Sequence, residues 1–221
     1  MIVVISPHID DMALGLGGLI SKKIEAGLAV REVIVGVSDY NAEHGAEDFR
    51  LTCQANMAEN LTAKANVSGT VYDYMVCEPS DGAKMLENMY DATPRGVLAD
   101  TLENALSKNV PQELYIPRAS YNQDHQAVYD ACRVMLRPGS RMSKIPRIWL
   151  YEVPGQQEVP GGVYVQLTKK NAMAKAALVE HHKQASTYPQ NPEGVLAWAR
   201  KRGLEIGTEY AEKIWPLKVI L

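Results

Sequence analysis

The sequence predicts an α/β fold with a mostly parallel central sheet, on three observations. Ile2-Val3-Val4-Ile5 is an unbroken β-branched run, the mark of a strand buried on both faces of a parallel sheet. The apolar pattern then changes to helical period, with Leu16, Ile20 and Ile24 four apart and Leu19 beside them. Short apolar runs and helical stripes go on alternating, the pattern of βαβ units, whose crossovers are right-handed. At 221 residues the chain suits one domain over 1–221, with helices on both faces of the sheet in a three-layer, Rossmann-like arrangement.

The elements follow in order. A strand over 2–6, a helix over 11–27 and a strand over 31–38 make the first βαβ unit. Ser6-Pro7 ends the first strand, because the residue before a proline is steered to extended geometry and proline gives no hydrogen bond to a ladder. Gly17 and Gly18 are poor helix interior unless that helix lies close to the sheet. The polar segment Asp39–Asp48, which contains His44, is expected to rim the same sheet edge. Phe49, Cys53, Met57 and Leu61 mark the next helix, and Thr70-Val71-Tyr72 a third strand. Residues 77–94, punctuated by Pro79, Asp81-Gly82 and Pro94, read as a long irregular connection of the kind that serves as a substrate lid.

Val97, Leu98, Thr101, Leu102, Ala105 and Leu106 form a helical stripe, and Leu114-Tyr115-Ile116 a fourth strand. Ala127, Val128, Ala131 and Met135 lie on the helix after it. Arg147–Tyr151 reads as a fifth strand, with Glu152 and Pro154 placed to approach the cleft. Val163–Leu167 reads as a further strand, followed by helices around 169–183 and 192–202. His181 and His182 are expected as surface or packing residues, and Trp198 and Trp215 as packing anchors of the C-terminal layer.

The chemistry lies in two turns. His8, Asp10 and Asp11 fall at the carboxyl end of the first strand, where open α/β sheets bind ligands. His8 and Asp11 are three apart across a turn, so an imidazole nitrogen and a carboxylate oxygen can reach one divalent ion. Asp10 sits between them and points elsewhere, a free carboxylate able to deprotonate water during attack on a carbonyl. The plain alternative is a helix N-cap made by Asp10 or Asp11. Tyr121-Asn122-Gln123-Asp124-His125 follows the fourth strand and opens another helix. If both turns meet over one sheet edge, His125 completes a two-His, one-carboxylate set with open positions.

Pro7-His8-Ile9-Asp10-Asp11, followed by Leu14-Gly15-x-Gly17-Gly18, resembles the opening motif of the PIG-L/LmbE-like zinc de-N-acetylases, P-H-x-D-D-x-x-L-x-x-G-G. Asn122-Gln123-Asp124-His125 resembles that family's second motif, usually H-P-D-H. Arg50, Tyr151-Glu152-Val153-Pro154, Gly203 and Tyr210-Ala211-Glu212 are similar to further family features, and Gln184 matches one loosely, so the resemblance spans nearly the whole chain. It implies His8, Asp11 and His125 as ligands of Zn2+ or another divalent metal, Asp10 as general base and Arg50 as a substrate-binding residue. It implies an amide hydrolase that removes an N-acetyl group from an amino sugar or its conjugate. Met12 stands where an acidic residue is common, Asn122 where a histidine is usual, and Cys53-Gln54 where a glutamate often follows the arginine. In this chain Asn122 is expected to donate a hydrogen bond to the developing oxyanion, and Asp124 to hold a neighbouring group in place.

Composition narrows the alternatives. A net charge of −3 and a pI near 6.0, with no basic run, argue against a nucleic-acid partner. No apolar stretch approaches a membrane span, and no basic, cleavable leader precedes the first strand. Three cysteines, far apart and without C-x-x-C, fit reduced thiols in a cytoplasmic protein. The expected partner is a small-molecule or sugar-conjugate substrate, with a homo-oligomer left open. A nucleotide-binding module is disfavoured, because Gly15-x-Gly17-Gly18 lacks the G-x-G-x-x-G order and paired aspartates repel a phosphate. A non-haem iron enzyme shares the two-His, one-carboxylate set but not the βαβ setting. A non-catalytic relative, in view of Asn122, is the remaining alternative.

Overall fold

Ile2–Ser6 (β1) is buried along its whole length, as an unbroken apolar strand in the middle of a parallel sheet must be. A computed structural model of the chain describes residues 1–36, 54–59, 61, 72–77, 95–182 and 190–220. The expectations for Asp39–Asp48, Phe49, Arg50, Cys53, Thr70-Val71, Gln184 and nearly all of the 77–94 connection lie outside the described residues.

After β1 come the helix Asp11–Glu25 (α1), the strand Val30–Ile34 (β2) and the strand Tyr72–Val76 (β3). The helix Arg95–Ser107 (α2), the strand Glu113–Pro117 (β4) and the helix Gln123–Met135 (α3) follow. The second half holds Arg147–Tyr151 (β5), Val163–Leu167 (β6), Lys169–Glu180 (α4), Pro192–Leu204 (α5) and Tyr210–Val219 (β7). Residues 54–59 are also helical. The described strands form one seven-stranded sheet in the order β3-β2-β1-β4-β5-β7-β6. The first five run parallel, with Ile2 opposite both Val30 and Glu113, while β7 runs antiparallel to β5 and β6. The sheet is thus mostly parallel, and helices cover both its faces.

Alternate side chains of the strands feed two cores. Ile2, Val4, Tyr115 and Tyr151 pack under α1 and α4, together with Met57 and Leu61. Val3, Ile5, Leu114, Ile116 and Ile148 pack under α2 and α3. Each such side chain taken fully from water contributes about 1.5–3 kcal/mol, so the central strands are held from above and below.

The glycines of α1 are explained by close approach. A Cβ on Gly15 would lie 2.6 Å from the Glu152 carbonyl oxygen, where backbone leaves no room for it, and one on Gly18 would displace the Leu167 side chain. A buried ion pair also inserts into the helix's own ladder. Glu212 Oε1 and Oε2 accept from the Gly18 and Leu19 amides at 2.9 and 2.7 Å, and Lys175 Nζ donates to Glu212 Oε1 at 2.7 Å and to the Gly15 carbonyl at 3.2 Å. This fixes α1 against β7 and α4, and with it the N-terminal turn that carries Asp10 and Asp11.

Sequence periodicity misses β7. Pro216 interrupts the run, and proline inside a run argues against a central strand. The structure resolves the conflict by register: β6 pairs with Tyr210–Ile214, whereas Pro216 faces Trp149 of β5, beside a register shift at Ile148/Trp149. Over its last residues β7 is therefore an edge, where the missing N–H costs little. The third strand runs on to Val76, and its partial burial after Tyr72 suits the other edge of the sheet.

Candidate metal centre

The strand order turns back between β1 and β4, and ligands of open α/β sheets bind outside the carboxyl ends of the strands at such a point. His8 leaves β1 here, and α1 begins at Asp11. The intervening turn is closed by Asp11 itself, whose Oδ2 accepts from the His8 backbone N–H at 2.8 Å. Asp10 occupies the N-cap position, yet its side chain makes no capping hydrogen bond. The plain N-cap reading therefore does not account for its carboxylate. Ile9 is buried against Ile34 and anchors the turn to β2.

From β4 the chain passes through Ser120 and Tyr121 into α3. Asn122 is the N-cap: its side-chain oxygen accepts from the Asp124 and His125 amides at 2.9 and 3.2 Å. This satisfies two of the helix's free donors and aims the first turn at β1. Asp124 Oδ2 lies 2.9 Å from His8 Nε2, and His125 Nε2 lies 3.2 Å from Asp11 Oδ1. His8 Nδ1 is 3.3 Å from Asp11 Oδ2. The two imidazole rings are 5.3 Å apart.

One donor atom each from His8, Asp11 and His125 lies within 4.8 Å of the others. Two imidazoles and a carboxylate are the donor set of a zinc or related divalent site with open positions. Electrostatics agree with a cation here. Burial pushes Asp10 above the usual carboxylate range, and the neighbouring Asp11 charge adds to it. Burial acts on Asp11 in the same sense, but His125 and His8 overcome it and hold that carboxyl well below the usual range. For His8, burial works downward, and hydrogen bonds to Asp11 and Asp124 outweigh it, raising the pKa to about 10. The chain thus holds adjacent carboxylates, Asp10 half-buried and Asp11 buried, that positive charge would stabilise, and the residues present fit a divalent ion.

Beside His125 opens a cavity of about 380 Å³, walled by Ser120, Tyr121, Asn122, Gln156 and Gln157. Pro154 lines it as well. Glu152 does not, because its two oxygens are taken by Arg202 at 2.7 Å each and by the Trp198 indole at 3.1 Å. Sequence reasoning passed over Gln156, whose side chain lies 3.0 Å from His125 Nδ1. The signal was available: Pro154-Gly155 directly after a strand marks a turn at the same sheet edge as the other two. His182, read as a surface or packing residue, is buried against Met57 Sδ at 3.4 Å. Arg50 lies outside the described residues.

No family model matches the sequence, and no curated protein matches it. Solved structures do match over nearly the whole chain. A conserved protein of Thermus thermophilus superposes with a TM-score of 0.74 at 20% identity, covering 100% of this chain and 96% of that one. The N,N'-diacetylchitobiose deacetylase of Pyrococcus horikoshii gives 0.70 at 17% identity, covering 98% and 83%. The 4-carboxy-2-hydroxymuconate hydratase of Pseudomonas putida gives 0.72 at 17% identity, covering 99% and 96%, so this scaffold supports more than one chemistry. The fold of the chain is that of the LmbE/PIG-L-type deacetylases.

Proposed function

We propose that this protein is a zinc-dependent amide hydrolase that removes the acetyl group from an N-acetylated amino sugar or its conjugate. The observation that carries the reading is a half-buried, uncapped carboxylate, Asp10, beside the His8–Asp11–His125 set, whose His125 lines a cavity. The fold shared with a deacetylase of an acetylated sugar supports it. Zinc, or another divalent ion on the same three residues, supplies Lewis-acid polarisation of the amide carbonyl and of the attacking water.

The chain's own residues do the rest. Asp10 takes the proton of the water as its oxygen bonds to the acetyl carbon. As the C–N bond breaks, Asp10 returns that proton to the leaving amine, and acetate and the free amino sugar depart. Asp124 holds His8 by its Nε2, which fixes the ring and leaves Nδ1 toward Asp11. The Asn122 oxygen is committed to the cap of α3, so its NH2 group is what remains to donate to the developing oxyanion.

Among the described residues no helix is long and apolar enough to cross a membrane. The buried free thiols of Cys77 and Cys132 suit a reducing, cytoplasmic setting. The test is a panel of N-acetylated amino sugars and their glycosides, incubated with zinc-loaded protein and assayed for primary amine and acetate. Stoichiometric release of both is expected from at least one member. Water addition to an unsaturated acid without amine release would transfer the chain to the hydratase reading.

A further inference from the structure

We propose that Gln156 is the positioning residue for His125, and that its turn links the metal site to the wall of the cleft. The inference rests on His125 being a metal ligand.

Val153-Pro154-Gly155-Gln156 is a type II turn. The Gln156 backbone N–H donates to the Val153 carbonyl at 3.2 Å, proline holds the second position, and Gly155 supplies the φ of 90° required at the third. The Gln156 side chain then folds back, and its Oε1 accepts from the Val153 backbone N–H at 3.2 Å. The amide is therefore held by both of its ends. Its Nε2 is left 3.0 Å from His125 Nδ1. On the far side, Arg118 Nη2 donates to the Gln157 carbonyl at 2.5 Å, so the turn is braced from the end of β4.

This arrangement sets the polarity of the contact. Oε1 is committed to an N–H donor, so the group facing Nδ1 is the amide NH2, and Nδ1 presents its lone pair. The ring proton then lies on Nε2, toward Asp11 Oδ1 at 3.2 Å. A divalent ion requires the Nε2 lone pair, which places the proton on Nδ1 and calls for an acceptor there. Gln156 offers one only by turning its amide over. That move leaves the Val153 N–H without its side-chain partner, and Val153 is only 3% exposed, so water does not readily replace it. A glutamate at the same position presents acceptors to both groups and needs no such turn. Because Gln156 and Gln157 also wall the cavity, a ligand that presses on the turn and an ion that loads the site act on the same amide.

The experiment measures zinc affinity of the full chain by competition with a chromophoric chelator, for the parent, Gln156→Glu and Gln156→Leu. Gln156→Glu is expected to bind at least about tenfold tighter, the scale of a gained partner for a ligating histidine, and Gln156→Leu several-fold tighter, because the donor that favours the non-ligating tautomer is gone. Nitrogen-15 spectra of the metal-free parent should show His125 as the Nε2–H tautomer. Unchanged or weaker affinity in Gln156→Leu, no tightening in Gln156→Glu, or an Nδ1–H tautomer in the metal-free parent would each overturn the inference. His125→Ala is run beside them: stoichiometric zinc in that variant brings down the reading of His125 as a ligand, whereas its loss together with an indifferent position 156 brings down this inference alone.

Discussion

Asp124, in the first turn of α3, holds the Nε2 of His8 at 2.9 Å from across the junction of β1 and β4. The contact joins two strand-end turns that are far apart in the chain, and it turns the other nitrogen of His8 toward Asp11. His125, one residue on, reaches Asp11 from the same helix turn. The geometry of the centre is thus set by where two parallel strands end and where two helices begin.

Removing one of three donors leaves too few to hold an ion against water. His8→Ala and His125→Ala are each expected to lose stoichiometric zinc, read by elemental analysis after gel filtration. Metal content equal to that of the parent in either variant removes the centre as drawn.

Asp10→Asn keeps the size and shape of the side chain but cannot accept a proton from water. Zinc content should stay at the parent level while turnover falls by about 10²–10⁴, the range for a lost general base. If zinc goes with it, Asp10 is a ligand and its role is misassigned.

The strand-end turns were legible because Ser6-Pro7 and Pro117 stop their strands just before the polar residues, and a helical stripe starts just after. That placed His8, Asp10, Asp11, Asp124 and His125 at one sheet edge without any knowledge of contacts. Two kinds of feature stayed hidden. β7 was obscured by Pro216, whose tolerance depends on β6 ending its pairing at Ile214, a fact of register rather than of composition. Gln156 stayed hidden because a neutral amide carries no pattern of its own; Pro154-Gly155 signals the turn but not that the turn aims Gln156 at His125. The glycines of α1 lay between these cases, since Gly17-Gly18 signalled close packing but not that Glu212 and Lys175 enter the ladder there.

Asn122 carries two duties that substitutions can separate. Asn122→Ala removes the cap on α3 at a cost of about 1 kcal/mol, together with the amide donor. Asn122→Ser retains a capping oxygen and loses only the NH2 group. Thermal midpoints should fall for alanine and stay near the parent for serine, while turnover falls in both by an amount worth about 2–4 kcal/mol at most. The alkaline limb of the pH–rate profile should be unchanged, because no ionisation is removed. Full activity in Asn122→Ser would leave Asn122 a cap and nothing more.

Glu32 gives a prediction about stability rather than catalysis. It lies fully buried in β2, with Ser6 Oγ donating at 2.5 Å, Gln54 Nε2 donating at 2.7 Å and the Tyr72 hydroxyl also donating to it. Burial raises its pKa from 4.5 to about 7, against the opposing pull of those three hydrogen bonds. Between these values the folded chain keeps a proton that the unfolded chain has released. Stability therefore falls as pH rises through the window, and the loss is complete above about pH 7, worth about 3 kcal/mol. His182 opposes it: burial lowers that pKa from 6.5 to about 4, so its contribution grows with pH over an overlapping range. The parent's curve mixes these with the shifted groups of the metal centre, His8 and Asp10 among them, and the informative quantity is the difference from Glu32→Gln, which keeps a carbonyl for two of the donors and does not titrate. Urea unfolding of metal-free protein at steps from pH 4 to 8 should show the parent losing ground to the variant between about pH 4.5 and 7, then running parallel to it. A difference constant with pH would mean that Glu32 ionises in the folded chain as it does in the unfolded one, and that its three donors fully offset its burial.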